Sequence, residues 1–185
     1  KEVAVKPVLI IDLGFDRTCF VIFSGNGICF TNSTSAVSNK QMLKDIAQKL
    51  NIDFKKAQSL KFKIGLGKES EDRDIFNALL PSLTKLLEKI KECISFHQEY
   101  GEKERGCSGI NEIILCGGGA NLKGLAEYLS ARVKIPVSLG NPWVNILSDK
   151  KGKVDLKKIP IIPYEESLAY ATVLGLALRG ANSSN

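Results

Sequence analysis

Apolar residues near the start of the chain come as short unbroken runs, and further on they recur at three- and four-residue steps. The runs Val8–Asp12 (VLIID), Thr18–Phe23 (TCFVIF) and Ile28–Asn32 are rich in β-branched and aromatic residues and are separated by glycine-bearing turns, the second being Gly25–Asn26–Gly27. They predict a strand meander. From Lys40 to Leu50 the apolar positions Met42, Leu43, Ile46, Ala47 and Leu50 fall at helical spacing, and Asp53 stands where a second helix, Phe54–Phe62, needs its cap. Ile75, Leu79, Leu83, Leu86, Leu87, Ile90 and Ile94 extend the helical rhythm, so Asp74–Tyr100 is expected to be one long amphipathic helix, which Pro81 either kinks or begins. A polar loop, Gly101–Gly109, leads to a buried strand, Glu112–Cys116 (EIILC), that stops at Gly117–Gly118–Gly119. A helix over Leu122–Lys134, a short strand Pro136–Leu139, a lysine-rich loop and a final helix Glu165–Arg179 complete the expected order.

Composition narrows the class. With 44% hydrophobic and 25% charged residues, the chain can form one compact core and a modest second lobe, which argues against disorder. Its longest uncharged apolar stretches, Val8–Ile11 and Val173–Leu178, fall far short of the roughly 20 residues a bilayer-spanning helix requires, so a soluble protein without membrane insertion is expected. The opening Lys1–Glu2 carries no signal peptide and reads as an internal boundary. Five cysteines form no C-x-x-C pair, and Cys19 and Cys116 lie in apolar runs where thiols pack as small hydrophobes, which fits a reducing cytoplasm. The formal charge of +6 owes much to the run Asp149–Lys158 (DKKGKVDLKK). Without interleaved aromatics to stack on bases, that run is expected to be a solvated loop and not a nucleic-acid surface.

Two turns carry candidate chemistry. In Asp12–Leu13–Gly14–Phe15–Asp16–Arg17–Thr18 a strand ends in a carboxylate, Gly14 permits a tight turn, and the Thr18 hydroxyl opens the return strand. Such a hairpin can hold a phosphate on its amides and hydroxyl while Asp12 holds a hydrated Mg²⁺ or orients a water, although the same residues also make an ordinary turn. In the second, Gly117–Gly118–Gly119–Ala120–Asn121 joins a buried strand to a helix and bares its backbone to a ligand. It fits neither the Walker nor the dinucleotide pattern, since Leu122 stands where each needs glycine. His97, the single histidine, is expected at the surface or the core edge, without metal-ligating company.

Together, D-x-G-x-x-x-T and, about a hundred residues later, a strand ending in GGGANLKGL resemble the second phosphate loop and the adenosine loop of the actin, Hsp70 and sugar-kinase superfold. Ala57–Gln58–Ser59–Leu60–Lys61 is similar to the A-E-x-x-K helix of the FtsA and PilM branch, and Ile135–Pro136 through Asn141–Pro142 to its I-P-V-x-x-x-N-P stretch. Glu165–Gly180 resembles the closing helix of the type IV pilus assembly PilM family, so that the likeness spans nearly the whole chain. The family's first phosphate loop has no counterpart.

The resemblance implies an α/β, ribonuclease-H-like (actin-like ATPase) domain II, a mixed sheet flanked by helices with a small inserted subdomain: a core subdomain of residues 1–35 and 105–185, interrupted by residues 36–104. It carries Asp12, Gly14 and Thr18 onto the phosphate loop, Gly117, Gly118, Gly119 and Asn121 onto the adenosine loop, and Lys61 onto the lysine flanking the adenosine, with Asp12 as the one candidate catalytic and Mg²⁺-holding carboxylate. ATP and Mg²⁺ are implied for the full-length protein, and their binding by this chain alone is left open. The chain departs from the family at Ser38–Asn39, where a glycine pair is usual, at Leu43, usually threonine, and at Gln58, usually glutamate. These departures and the missing loop imply weak or absent turnover. The implied role is a cytoplasmic scaffold, peripheral to the inner membrane, that engages a PilN-type cytoplasmic tail and self-associates. The competing readings are an active ATPase or phosphotransferase half-domain and a basic nucleic-acid-binding domain.

Overall fold

The computed structural model describes residues 6–25, 27–66, 73–102, 109–143, 146 and 162–183. Strands β1 (Val8–Leu13), β2 (Thr18–Ser24) and β3 (Gly27–Thr34) form the expected meander. Helices α1 (Asn39–Leu50), α2 (Phe54–Ile64) and α3 (Arg73–Phe96) follow, then β4 (Glu112–Cys116), α4 (Leu125–Val133), β5 (Val137–Leu139), α5 (Tyr164–Ser167) and α6 (Ala171–Ser183). The sheet order is β3-β2-β1-β4-β5, with β1 antiparallel to β2 and parallel to β4, so the two turns expected to carry chemistry leave the same end of neighbouring strands.

Strict alternation decides how the sheet packs. Leu9, Ile11 and Leu13 of β1, Phe20 and Ile22 of β2, and Ile113 and Leu115 of β4 are buried on one face. Met42 and Ile46 of α1, Leu79, Leu83, Leu86 and Ile90 of α3, and Leu125 and Leu129 of α4 join them in one apolar cluster. Each such side chain contributes roughly 1.5–3 kcal/mol by leaving water. The other face, with Val8, Ile10, Val21 and Ile114, is only half-buried.

Several boundaries differ from the sequence expectation for identifiable reasons. Pro81 lies within α3 and does not begin it. The helix keeps its stripe of buried leucines there, and Ser82 beside the proline donates to Asp45 Oδ2 of α1 at 2.5 Å. The long helix ends at Phe96 and passes into a π-helical turn, His97–Glu102, and His97 lies inside the protein at 2% exposure, deeper than its expected place at the surface or core edge, because it follows buried Cys93 by four residues. Gly101 lies so close to its imidazole that a methyl there would come within 2.5 Å of Nδ1. The helix expected from Leu122 starts at Leu125, because Gly118–Asn121 winds as a 3₁₀ turn and Gly124 takes a left-handed φ of 78°. The final helix is broken by a 3₁₀ turn at Leu168–Tyr170. The lysine run Asp149–Lys158 lies outside the described residues. Among the described residues no helix is long and apolar enough to cross a membrane.

Candidate functional site

The β1–β2 hairpin is built around Gly14, where a Cβ would sit 2.8 Å from the Arg17 carbonyl oxygen. At its tip Phe15 is 55% exposed, and Lys40 Nζ reaches Asp16 Oδ1 at 3.0 Å. Thr18 does not face the loop as a phosphate donor would. It is fully buried, and its hydroxyl donates to the Val37 carbonyl at 2.8 Å, tying β2 to the segment that enters α1.

That segment closes against the hairpin. Ser38 caps α1 by accepting from Gln41 N at 3.2 Å, while the next two amides are donated to the hairpin: Asn39 N to Gly14 O at 3.0 Å and Lys40 N to Phe15 O at 2.9 Å. The amides that a helix start offers to an anion are thereby used internally. Asn39 also extends its side chain to Lys61. Lys61 Nζ donates to Asn39 Oδ1 at 2.6 Å from α2. Burial alone pulls the Lys61 pKa down to about 8. Lys61 is thus linked to the hairpin through Asn39.

The glycine turn meets the hairpin directly. Asp12 pairs with Cys116 across β1 and β4, and the chain then turns at Gly117 with φ 82°. A Cβ on Gly117 would run into Asp12 Oδ1 and come within 2.7 Å of the Leu13 carbonyl oxygen. One on Gly119 would lie 2.8 Å from that same oxygen. Only glycine lets these backbones approach so closely. Gly118 is different, since a Cβ there would meet nothing nearer than Ala169 Cβ at 3.9 Å. Asn121 lines a neighbouring cavity of about 520 Å³ with Phe62, Lys123, Glu127, Val137 and Leu139. Beside Asp12, the Cys116 thiol is pushed up to about 12, first by burial and then by the charges of Asp12 and Cys19.

The structure therefore brings Asp12, Gly14, Gly117, Gly118 and Gly119 together at one edge of the sheet and sets Lys61 and Asn121 beside them, while the Thr18 hydroxyl points away. Sequence reasoning missed two contributors. Asn39 enters the sequence pattern only as a departure from glycine, and Thr172, whose hydroxyl donates to Asp12 Oδ2 at 2.8 Å, only as part of a closing helix. A lone hydroxyl in the apolar stretch Ala171–Leu178 was the available signal. Gly117 and Gly119 are buried against the hairpin and Gly118 between them is open, so a ligand can lie against the backbone at Gly118, and the Asp12 carboxylate nearby is an oxygen donor suited to a hydrated Mg²⁺.

The family described as type IV pilus assembly protein PilM matches residues 1–181. The chain belongs to the PilM family. Its structure resembles that of a PilM-PilN type IV pilus biogenesis complex at TM-score 0.73 and 24% identity, over 96% of this chain and 46% of that one. MreB5 of Spiroplasma citri bound to ADP matches at TM-score 0.67 and 18% identity, over 97% of this chain and 54% of the other. The archaeal actin homolog Ta0583 matches at TM-score 0.60 and 16% identity, over 97% and 49%. No curated protein sequence matches. This PilM-family chain spans about half the length of these structures. The fold is the ribonuclease-H-like fold of actin-like ATPases, and the family is one of type IV pilus assembly.

Proposed function

We propose that this PilM-family chain is the second domain of a two-domain, actin-like scaffold of type IV pilus assembly, and that it forms one wall of a nucleotide cleft. The meeting of the Asp12 hairpin with the Gly117–Gly119 turn carries this reading, because it sets a carboxylate near the open backbone of Gly118 at the ends of adjacent strands. In this reading the nucleoside lies along the glycine turn near Lys61 and Asn121, Gly14 and its hairpin face the phosphates, and Asp12 holds Mg²⁺ through water. Bound ATP and Mg²⁺ would supply the charge that holds the two domains in one relative position. Residues 1–35 and 105–185 form the core subdomain and residues 36–104 the insertion.

The scaffold works by protein interaction, with weak or no turnover. Phosphoryl transfer needs charges placed around the phosphates from both sides of a cleft, and this wall offers Asp12 as its candidate carboxylate, Asp16 at the hairpin tip being paired with Lys40. We assign it a cytoplasmic place at the inner membrane, reached through a PilN-type cytoplasmic tail, with self-association as a second contact. The likeness to a PilM-PilN complex supports that partner.

Calorimetric titration of the complete protein with ATP and Mg²⁺ tests the site. Gly118→Glu places a charged side chain on the open glycine of the turn and is expected to abolish binding, while unchanged affinity would overturn the assignment. For the partner, a synthetic PilN-type tail is expected to bind the complete protein, and the absence of binding would refute that part.

A further inference from the structure

The segment that precedes α6 supplies a third side to the site. Ser167 and Leu168 are fully buried where α5 gives way to the 3₁₀ turn, and the Leu168 carbonyl accepts from Gly117 N at 2.9 Å. Ala169 faces Gly118. One helical turn beyond Leu168, on the same side of the segment, Thr172 donates to Asp12 Oδ2 at 2.8 Å. Thr172 is itself exposed, and the helix beyond it alternates exposed and half-buried positions, with Val173 at 62% and Leu176 at 65%. The segment thus touches both halves of the wall: the glycine turn through a carbonyl, and the acidic hairpin through a hydroxyl.

The two Asp12 oxygens are held differently. Oδ1 abuts the Gly117 backbone, and Oδ2 accepts the Thr172 hydroxyl. A carboxylate wedged on one oxygen and hydrogen-bonded on the other has its side-chain torsions defined from two sides. Valine has the shape of threonine and would fill the same space, so what Thr172 adds is the donor.

We propose that Thr172 is a positioning residue for Asp12, fixing the carboxylate orientation that a hydrated divalent cation uses and linking the start of α6 to occupancy of the site. This rests on the nucleotide reading above. The cation's waters donate to a carboxylate already oriented toward them, so loss of the hydroxyl weakens cation binding by letting the carboxylate swing. The nucleoside, held by the glycine turn, is not touched by that loss.

The experiment compares the complete protein with its Thr172→Val and Thr172→Ser variants. The Mg²⁺ concentration giving half-maximal ATP binding is expected to rise about three- to tenfold in Thr172→Val, as for loss of one hydrogen bond to a charged group, and to return in Thr172→Ser. ATP affinity without Mg²⁺ stays unchanged. Hydrogen exchange over residues 168–176 is expected to slow on adding ATP and Mg²⁺ to the wild type, with a smaller response in Thr172→Val. A ligand-free readout stands apart from the nucleotide reading: Asp12 χ1 couplings measured by NMR on aspartate-labelled protein should show one rotamer in the wild type and Thr172→Ser and averaging in Thr172→Val. If the wild type fails to bind ATP, the nucleotide reading falls, and the couplings still decide the positioning role. Unchanged couplings in Thr172→Val overturn the proposal, as does an unchanged Mg²⁺ requirement in a protein that binds ATP.

Discussion

Lys61 Nζ donates to Asn39 Oδ1 at 2.6 Å from a side chain that is 2% exposed, so a buried ammonium group rests on a neutral amide. No carboxylate among the described residues forms an ion pair with it. Its pKa falls from 10.5 to about 8 on folding. Between those values the unfolded chain holds a proton that the native chain has released, so this group's contribution to stability rises as pH climbs through the window. The full cost of burying the charge is present below pH 8. In urea melts, the stability of the wild type relative to Lys61→Met should improve by roughly 2–3 kcal/mol between pH 7 and pH 10.5. Comparing the two proteins cancels the thiols and tyrosines that titrate over the same range, and a constant offset would show that Lys61 is not desolvated.

Neighbouring glycines in the turn should respond very differently to the same methyl group. Gly117→Ala forces a side chain into a left-handed backbone and against Asp12 and Leu13, and is expected to cost about 2–4 kcal/mol. Gly118→Ala meets only Ala169 at a comfortable distance and should stay within about 0.5 kcal/mol of wild type. Chemical denaturation of both variants checks the contrast, and equal losses would place the turn differently.

Thr18 holds the fold together at the entry to α1. Thr18→Val keeps the shape but strands the buried Val37 carbonyl, for an expected loss of about 1–3 kcal/mol. Thr18→Ser, which keeps the donor, should recover part of that loss. A Thr18→Val protein as stable as the wild type would mean the hydroxyl has no such duty.

Cys116 should be a sluggish thiol. With its pKa pushed up to about 12, it carries little thiolate at pH 8, and labelling by a disulfide reagent is expected to run at least about tenfold slower in the native protein than in urea. Mass spectrometry of the labelled peptides reads this directly, and rapid native labelling at Cys116 would contradict its burial.

The sheet was legible because alternation and burial agree at Leu9, Ile11, Phe20, Ile22 and Ile113, and because Asp53 caps α2 in place, accepting from Lys56 N at 2.8 Å. The two candidate turns were legible for a similar reason, since the glycines at 14, 117 and 119 mark backbone that had to pass close to something. What stayed hidden depends on partners far off in sequence. The break at Leu168–Tyr170 coincides with a carbonyl that serves Gly117, and no local pattern announces a hydrogen bond between Asp12 and Thr172. Likewise Thr18 fits a phosphate loop in a motif, yet its hydroxyl is claimed by Val37, a choice only packing could make. His97 stands four residues after Cys93 and seven after Ile90, on the buried stripe of α3, a place that its polar ring does not announce.

Where α2 ends, Gly65 lies directly against Lys123 at the start of the turn into α4, with Leu66 N donating to the Lys123 carbonyl at 2.8 Å and a Gly65 Cβ falling 2.5 Å from Lys123 Cβ. The two main chains lie against each other there, and Lys123 Nζ reaches back to the Lys63 carbonyl at 3.3 Å, so the gauge of the crevice between Phe62 and Leu139 is set close to the thickness of a peptide. One methyl group at position 65 would act as a shim there, prying the crevice apart without entering it.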